Sequence, residues 1–268
     1  MVLKQPEQQV DIEDELLVVN HVRHGIRWLR PAGSRSEPVL VFLHDALGSI
    51  PQWKDLPERM VRSLGLPAVL IERQGHGQSS PLVGKRRPDY LHYEAHTVLP
   101  AVLDALGVTH PVLIGHSDGG TIALLYASRF TPLAVVSIAA HIFVEEVTLQ
   151  AIGENLAQQA VLRERLYRYH GEKTGALFEA WADTWQSEAF RDFNIESELT
   201  GIKAPILIVQ SEDDEYGTEL QVRGIGRQVS SGVKRICLLE RGGHMLHLTR
   251  PGLLAAEITG FLSEVLPG

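Results

Sequence analysis

Cysteine is almost missing from this chain. Its 268 residues include one, Cys237, so no disulfide framework holds the fold and a packed core must do that work. Long apolar runs are missing too. No stretch approaches the ~18–20 apolar residues that span a bilayer, and segment 1–14 is polar and acidic, without the apolar stretch of a secretory signal. The expected setting is therefore cytoplasmic, with no membrane partner. Positive charge is in deficit: 25 Lys and Arg stand against 33 Asp and Glu, a formal charge of −8. That balance argues against general attraction to nucleic acid or anionic lipid. The basic run Lys85-Arg86-Arg87 reads as a solvated loop. The chain also lacks internal repeats, low-complexity linkers, and any G-x-G-x-x-G or P-loop placed after a strand. What remains is an ordinary globular composition, long enough for one large core or a core with a small accessory domain.

What is present is alternation. Short aliphatic runs at 39–43, 68–72, 112–114, 134–138, 206–209 and 235–239 are separated by longer helical patterns. Such runs are expected to be strands buried on both faces of a mainly parallel sheet flanked by helices, an α/β fold. Segments 16–22 and 25–30 read as an opening antiparallel pair. Ala95, Val98, Leu99, Val102, Ala105 and Leu106 recur at helical spacing before Gly107. Pro100, inside that pattern, is expected to kink the helix or to mark a late start. Leu254, Ile258, Phe261, Leu262 and Val265 form a last stripe, entered through Pro251.

One region breaks the alternation. Segment 141–203 contains no convincing strand, only helical pattern with clustered aromatics such as Tyr169, Phe178, Trp181 and Trp185. It is expected to be a helical lid, inserted in a core made of 1–140 and 204–268. It would cover the C-terminal edge of the sheet, where open α/β sheets bind ligands. Most of its aromatics are expected to glue lid to core. Phe178, Trp185 and His141 are pocket candidates by location.

The most informative segment is Gly115-His116-Ser117-Asp118-Gly119, a G-x-S-x-G pattern after an aliphatic strand and before a helix rich in Ala, Leu and Ile. A sharp strand-to-helix turn strains the serine backbone, and its neighbours two positions away must lack side chains. The helix N-terminus then lies close to where negative charge develops. These features point to Ser117 as a nucleophile. Here the chain resembles the α/β-hydrolase superfamily, and the resemblance runs through nearly the whole length. It implies an eight-stranded, mostly parallel sheet with a helical lid, no cofactor and no metal.

The resemblance also implies partners for Ser117. Among twelve histidines, His244 in Gly242-Gly243-His244 occupies the loop before the last helix that carries the family's base. His247 is its competitor and a candidate for lining the pocket. The loop Ser211-Glu212-Asp213-Asp214 is similar to the family's acid loop, with Asp214 in the acid position and Asp213 as the alternative. The order serine, acid, histidine is the one this superfamily uses. The loop His44-Asp45-Ala46 resembles the oxyanion loop, which would pair the Ala46 N–H with that of Asp118. Asp45 replaces the usual glycine, and its carboxylate could bond the loop or meet substrate, as could His44. Glu72 and the turn from Gly75 to Ser79 read as structural. Asp118, beside the nucleophile, hints at tolerance for positively charged substrates.

Other classes fare less well. His92 and His96 share a helix face, but Tyr93-Glu94 between them does not complete H-E-x-x-H, and no third ligand is evident. Cys237 lies in a strand pattern, where a small apolar residue is ordinary. A serine at the elbow argues against the aspartate-based epoxide hydrolases and dehalogenases. The expectation is a serine hydrolase of the carboxylesterase kind acting on a small-molecule ester. The alternatives are a carbon–carbon hydrolase of the meta-cleavage product type and a non-catalytic binding module. A homodimer is left open.

Overall fold

A computed structural model describes residues 9–33 and 37–266, so the start of the polar N-terminal segment lies outside the described residues. The chain opens with β1 (Val10–Val19) and β2 (Val22–Pro31), then β3 (Val39–Leu43), α1 (Leu56–Leu64) and β4 (Ala68–Ile71). Next come α2 (Tyr90–Tyr93), α3 (Leu99–Ala105), β5 (Pro111–His116), α4 (Asp118–Arg129) and β6 (Ala134–Ile138). Four helices follow without an intervening strand: α5 (Glu146–Ala157), α6 (Gln159–His170), α7 (Thr174–Gln186) and α8 (Glu188–Arg191). The chain ends with β7 (Ile206–Ser211), α9 (Glu219–Gln228), β8 (Lys234–Leu239), α10 (Leu246–Thr249) and α11 (Pro251–Val265).

The eight strands form one sheet in the order β1-β2-β4-β3-β5-β6-β7-β8. β3 to β8 run parallel, while β1 and β2 pair antiparallel with each other and β2 with β4. The central strands are buried throughout, and successive residues face opposite clusters. Val39, Val41 and Leu43 face one apolar cluster with α3 and α4, while Leu40 and Phe42 face another with α1 and α11. This is why the central strands read as unbroken aliphatic runs.

Two details differ from expectation. The opening hairpin turns at Asn20 and His21, whose φ values of 49° and 66° put two left-handed residues in a two-residue loop. Val22 therefore belongs to β2, and β1 begins at Val10 instead of residue 16. β1 is an edge strand whose acids pair across the ladder: Asp14 with Arg27, Glu13 with Arg30, and Glu15 with the Trp28 indole. The four acids among residues 10–15 break up the aliphatic run there, and a charged, solvated edge resists adding a further strand. Pro100 produces neither simple outcome. The helical path from Tyr90 to Ala105 is continuous, with a π-helical stretch at Glu94–Val98 just before the proline. The wider turn accommodates a ring that lacks an N–H and crowds the carbonyl four residues back. Among the described residues no helix is long and apolar enough to cross a membrane.

Candidate active site

The turn between β5 and α4 places Ser117 at φ 53°, ψ −119°, a conformation that L-residues seldom adopt. Its two glycines are required sterically. A Cβ on Gly115 would lie 2.1 Å from the Gly119 carbonyl oxygen, and one on Gly119 would lie 1.9 Å from the Leu43 carbonyl oxygen. Asp118 opens the 12-residue helix α4, so its N–H belongs to the first turn, where helices leave donors without intrahelical partners.

Across the C-terminal edge of the sheet, His244 follows β8. Its Nδ1 lies 2.9 and 3.0 Å from the two carboxylate oxygens of Asp214, and both side chains are buried. Burial pushes the Asp214 carboxyl up, but the charge and hydrogen bond of His244 outweigh it and leave it lowered. For His244 burial disfavours the imidazolium, yet Asp214 prevails and raises it. The two shifts describe one ion pair. Asp213, the alternative acid, is turned elsewhere. It accepts hydrogen bonds from Ser211 Oγ and from the Gly242 and Gly243 N–H groups, and these, the Ser211 bond first, hold it down to about 2. Asp213 therefore shapes the loop that delivers His244. The His244 backbone is fixed on both sides, its N–H donating to Glu215 and its carbonyl accepting from His116 Nε2, at 2.9 Å each.

Ser117 and His244 open on one cavity of about 410 Å³, which Asp45, Ala46, Asp118, His141 and Trp185 also line. No hydrogen bond joins the Ser117 hydroxyl to His244 among the described residues, a contact that commonly tightens only with substrate in place. His141 stacks on His244 with ring centroids 5.8 Å apart, and the edge of Trp185 lies 5.3 Å from it. Burial drives His141 down to about 3, so it is neutral, and its buried Nδ1 has no partner.

Three expected pocket residues lie elsewhere. His44 is buried beneath its loop, accepting from the Arg73 N–H at Nε2 and donating from Nδ1 to the Asp45 carbonyl. Phe178 is fully buried, its ring against Trp181 and under the Arg163 guanidinium. His247 packs between Trp53 and His116 at 5.1 and 4.8 Å. Hydrogen bonds hold His44, and ring packing holds Phe178 and His247, so that none of the three lines the cavity. Asp118 likewise overturns the hint of cationic substrates. Its buried carboxylate accepts from Tyr90 Oη at 2.8 Å and lies 3.6 Å from Arg73, and the Trp185 indole donates to the same Tyr90 oxygen. The charge is spent within the protein. Glu72 is structural, as read: its carboxylate accepts the Ile50 and Gln78 N–H groups. His92 and His96 have separate partners, Glu198 and the Leu125 carbonyl.

Arg73 is the residue that sequence reading passed over. Only 6% exposed, it donates to the carbonyls of His44 and Asp45 at 2.6 and 2.8 Å, bracing the loop that ends at Ala46. Its one sequence signal is position, just past the C-terminal end of β4, where site residues of such sheets collect.

Comparison with known proteins agrees with this architecture. A stretch of 95 residues is 33% identical to the sn-1-specific diacylglycerol lipase ABHD11 of Mus musculus, covering 35% of this chain and 29% of that protein. The 2-succinyl-6-hydroxy-2,4-cyclohexadiene-1-carboxylate synthase of Yersinia pseudotuberculosis is 24% identical over 261 residues, 87% of this chain and 90% of the synthase. Among solved structures, the carboxylesterase CesB (YbfK) of Bacillus subtilis superimposes with a TM-score of 0.71 at 17% identity, covering 96% of this chain and 93% of the esterase, a likeness of fold. The model of the alpha/beta hydrolase family matches residues 40–257, and with the sheet order, the elbow and the cavity described above, this chain belongs to that family.

Proposed function

We propose that this hydrolase is a serine esterase acting on small-molecule esters through an acyl-enzyme at Ser117. One observation carries the reading: a serine strained at a glycine-flanked elbow shares a cavity with a buried histidine–carboxylate pair. Ser117 Oγ attacks the carbonyl carbon while its proton passes to His244 Nε2, and Asp214 stays ionised to hold the imidazolium. The Ala46 and Asp118 N–H groups hold the oxyanion. The ester C–O bond breaks, His244 returns its proton to the departing alcohol, and water releases the acid by the same route. The helices between β6 and β7 act as a lid that supplies the cavity's outer wall.

Hydrolysis of p-nitrophenyl esters of increasing acyl length, beside a lactone and a dienone, tests the reaction class. Ser117→Ala should lower kcat by roughly 10⁴–10⁶ and abolish labelling by a fluorophosphonate. Unchanged hydrolysis by that variant sinks the assignment. Because Asp214 raises His244 above 6.5, activity should rise with pH through an inflection above that value.

A further inference from the structure

The charged groups around the cavity are sorted by position. Its acids, Asp45, Asp118 and Glu215, lie with Ser117 and His244, and each is engaged: Asp45 by the Leu47 N–H, Asp118 by Tyr90, Glu215 by the His244 N–H. The outer lining instead carries Lys54, Arg165 and Arg168. Both arginines are exposed on α6, three residues apart and hence on neighbouring positions of one helix face. Lys54 comes from the turn after β3, and its ammonium and the Arg168 guanidinium lie 5.9 and 5.1 Å from the Tyr169 ring. None of the three forms an ion pair among the described residues. By contrast, Arg163 on the same helix is paired with Glu179. The rest of the lining is mainly apolar, with Ile152, Leu162, Leu166 and Trp181, and a few neutral polar groups such as Asn155. In a chain of net charge −8, three exposed cations without an ion pair among the described residues line this cavity, with only neutral partners: Tyr169 Oη for Lys54 at 3.5 Å and the Arg165 carbonyl for Arg168 at 3.2 Å.

We infer that Lys54, Arg165 and Arg168 form an anion subsite, and that the substrate carries a carboxylate or phosphate remote from the bond that is cleaved. The orientation rests on Ser117 being the nucleophile; the subsite itself does not. Guanidinium groups give paired N–H donors that match carboxylate and phosphate oxygens, and a partly enclosed cavity screens them less than open surface does. The apolar part of the lining would hold a short aliphatic spacer.

Binding is tested separately from chemistry. Trp181 and Trp185 line the cavity, so quenching of their fluorescence reports occupancy. Hexyl phosphate should bind roughly 10-fold tighter than hexan-1-ol, and the double variant Arg165→Gln/Arg168→Gln should erase that difference. Raising salt to ~0.5 M should weaken hexyl phosphate and spare the alcohol. Hexyl phosphate binding that is no tighter than the alcohol's, or is unchanged in the double variant, overturns the subsite. Two matched pairs then locate the anion. p-Nitrophenyl hemiglutarate against p-nitrophenyl valerate places it on the acyl part, and butyryl-phosphopantetheine against butyryl-pantetheine places it on the leaving group. In the favoured pair the anionic-to-neutral ratio of kcat/KM should be about 10 and should fall towards one in the double variant, through KM. No anionic preference in either pair sinks the substrate claim. Hydrolysis that persists in Ser117→Ala sinks the nucleophile instead, and leaves the titration standing.

Discussion

Replacing Gly119 with alanine adds one methyl group where the chain has no room for it. The new Cβ would lie 1.9 Å from the Leu43 carbonyl oxygen, 2.5 Å from its carbonyl carbon and 2.7 Å from the His44 oxygen. All three are backbone atoms at the end of a central strand, so no side chain can swing aside. Either β3 or the start of α4 must move, and overpacking of this kind falls at the upper end of the usual range, about 3 kcal/mol. For a chain of this size that corresponds to a fall in Tm of roughly 6–12 °C. Gly260 is the matched control. It is exposed inside α11, a Cβ added there would meet nothing within 4 Å, and its φ is not positive. The same chemical change there should stabilise by about 0.5–1 kcal/mol through helix propensity. Calorimetry or urea unfolding of both variants, with ester hydrolysis alongside, measures the pair. Gly119→Ala should also lose about 10²-fold in kcat, because the displaced strand end carries the Ala46 loop. A Gly119→Ala protein that melts within ~2 °C of wild type refutes the steric account of the elbow.

Asp214→Asn should lower kcat by about 10³–10⁴ and move the acid limb of the pH profile downward, since the largest influence raising His244 is then lost and only the smaller ones of Glu215 and Asp45 still oppose burial. Asp213→Asn should leave that limb in place, because its bonds are to the loop backbone; a shared shift would show that the acid is misassigned. The ion pair also predicts a stability window. Asp214, lowered in the fold, contributes above its unfolded value of ~3.9 and loses this as pH falls through the folded one; His244, raised, contributes fully below ~6.5 and loses this as pH rises through its folded value. The unfolding free-energy gap between wild type and Asp214→Asn should therefore peak between about pH 4 and 6.5, and a gap flat in pH refutes it. Arg73→Lys keeps the charge but loses the fork that spans two carbonyls. It should cut kcat roughly 10-fold with little change in KM, whereas a pure KM effect would place Arg73 in substrate binding.

The sheet was legible because its central strands are buried on both faces: segments 39–43 and 134–138 coincide with β3 and β6 to the residue. β1 was only half legible, since its first half, residues 10–15, carries four acids on a solvated edge, while its aliphatic second half reads as strand. The elbow could be read because Gly115 is demanded by a local contact with Gly119, although Gly119 itself is demanded by the end of β3 at Leu43, far away along the chain. The acid loop could be narrowed to two neighbours and no further. Whether Asp213 or Asp214 meets His244 depends on a turn in which one carboxylate is consumed by Gly242 and Gly243, whose N–H groups come from another strand's loop. The failures at His44, Phe178 and His247 share a cause. Side-chain direction is decided by partners that residue type alone does not reveal: Arg73 for His44 and Trp53 for His247, both far away along the chain, and Arg163 of α6 with the helix neighbour Trp181 for Phe178. The basic part of the lining was hidden for the opposite reason. Arg165 and Arg168 are unremarked surface residues until α6 turns their face to the cavity.

Two local oddities in the sequence account for each other in space. Asp45 stands where the resemblance leads one to expect glycine, and His116 precedes Ser117; taken singly, neither position explains its residue. In the fold Asp45 Oδ2 lies 3.6 Å from His116 Nδ1. Burial disfavours the Asp45 charge, but His116 beside it and then the Leu47 N–H outweigh this and hold its carboxyl well below the usual range; the His116 contact is one of proximity, since Nδ1 lies too far away for a hydrogen bond. The other nitrogen of His116 faces the His244 carbonyl at 2.9 Å, an acceptor, so Nε2 carries a proton. One imidazole thus connects three separate loops: the one ending at Ala46, the elbow itself, and the one that presents His244. A glycine at position 45 would leave His116 Nδ1 without its carboxylate, and a residue without ring nitrogens at 116 would leave the Asp45 charge buried with less to offset it. The pair is therefore better understood as one structural unit than as two departures: Asp45 lines the cavity, and His116, buried behind it, ties the Ala46 loop to the elbow and to the His244 loop.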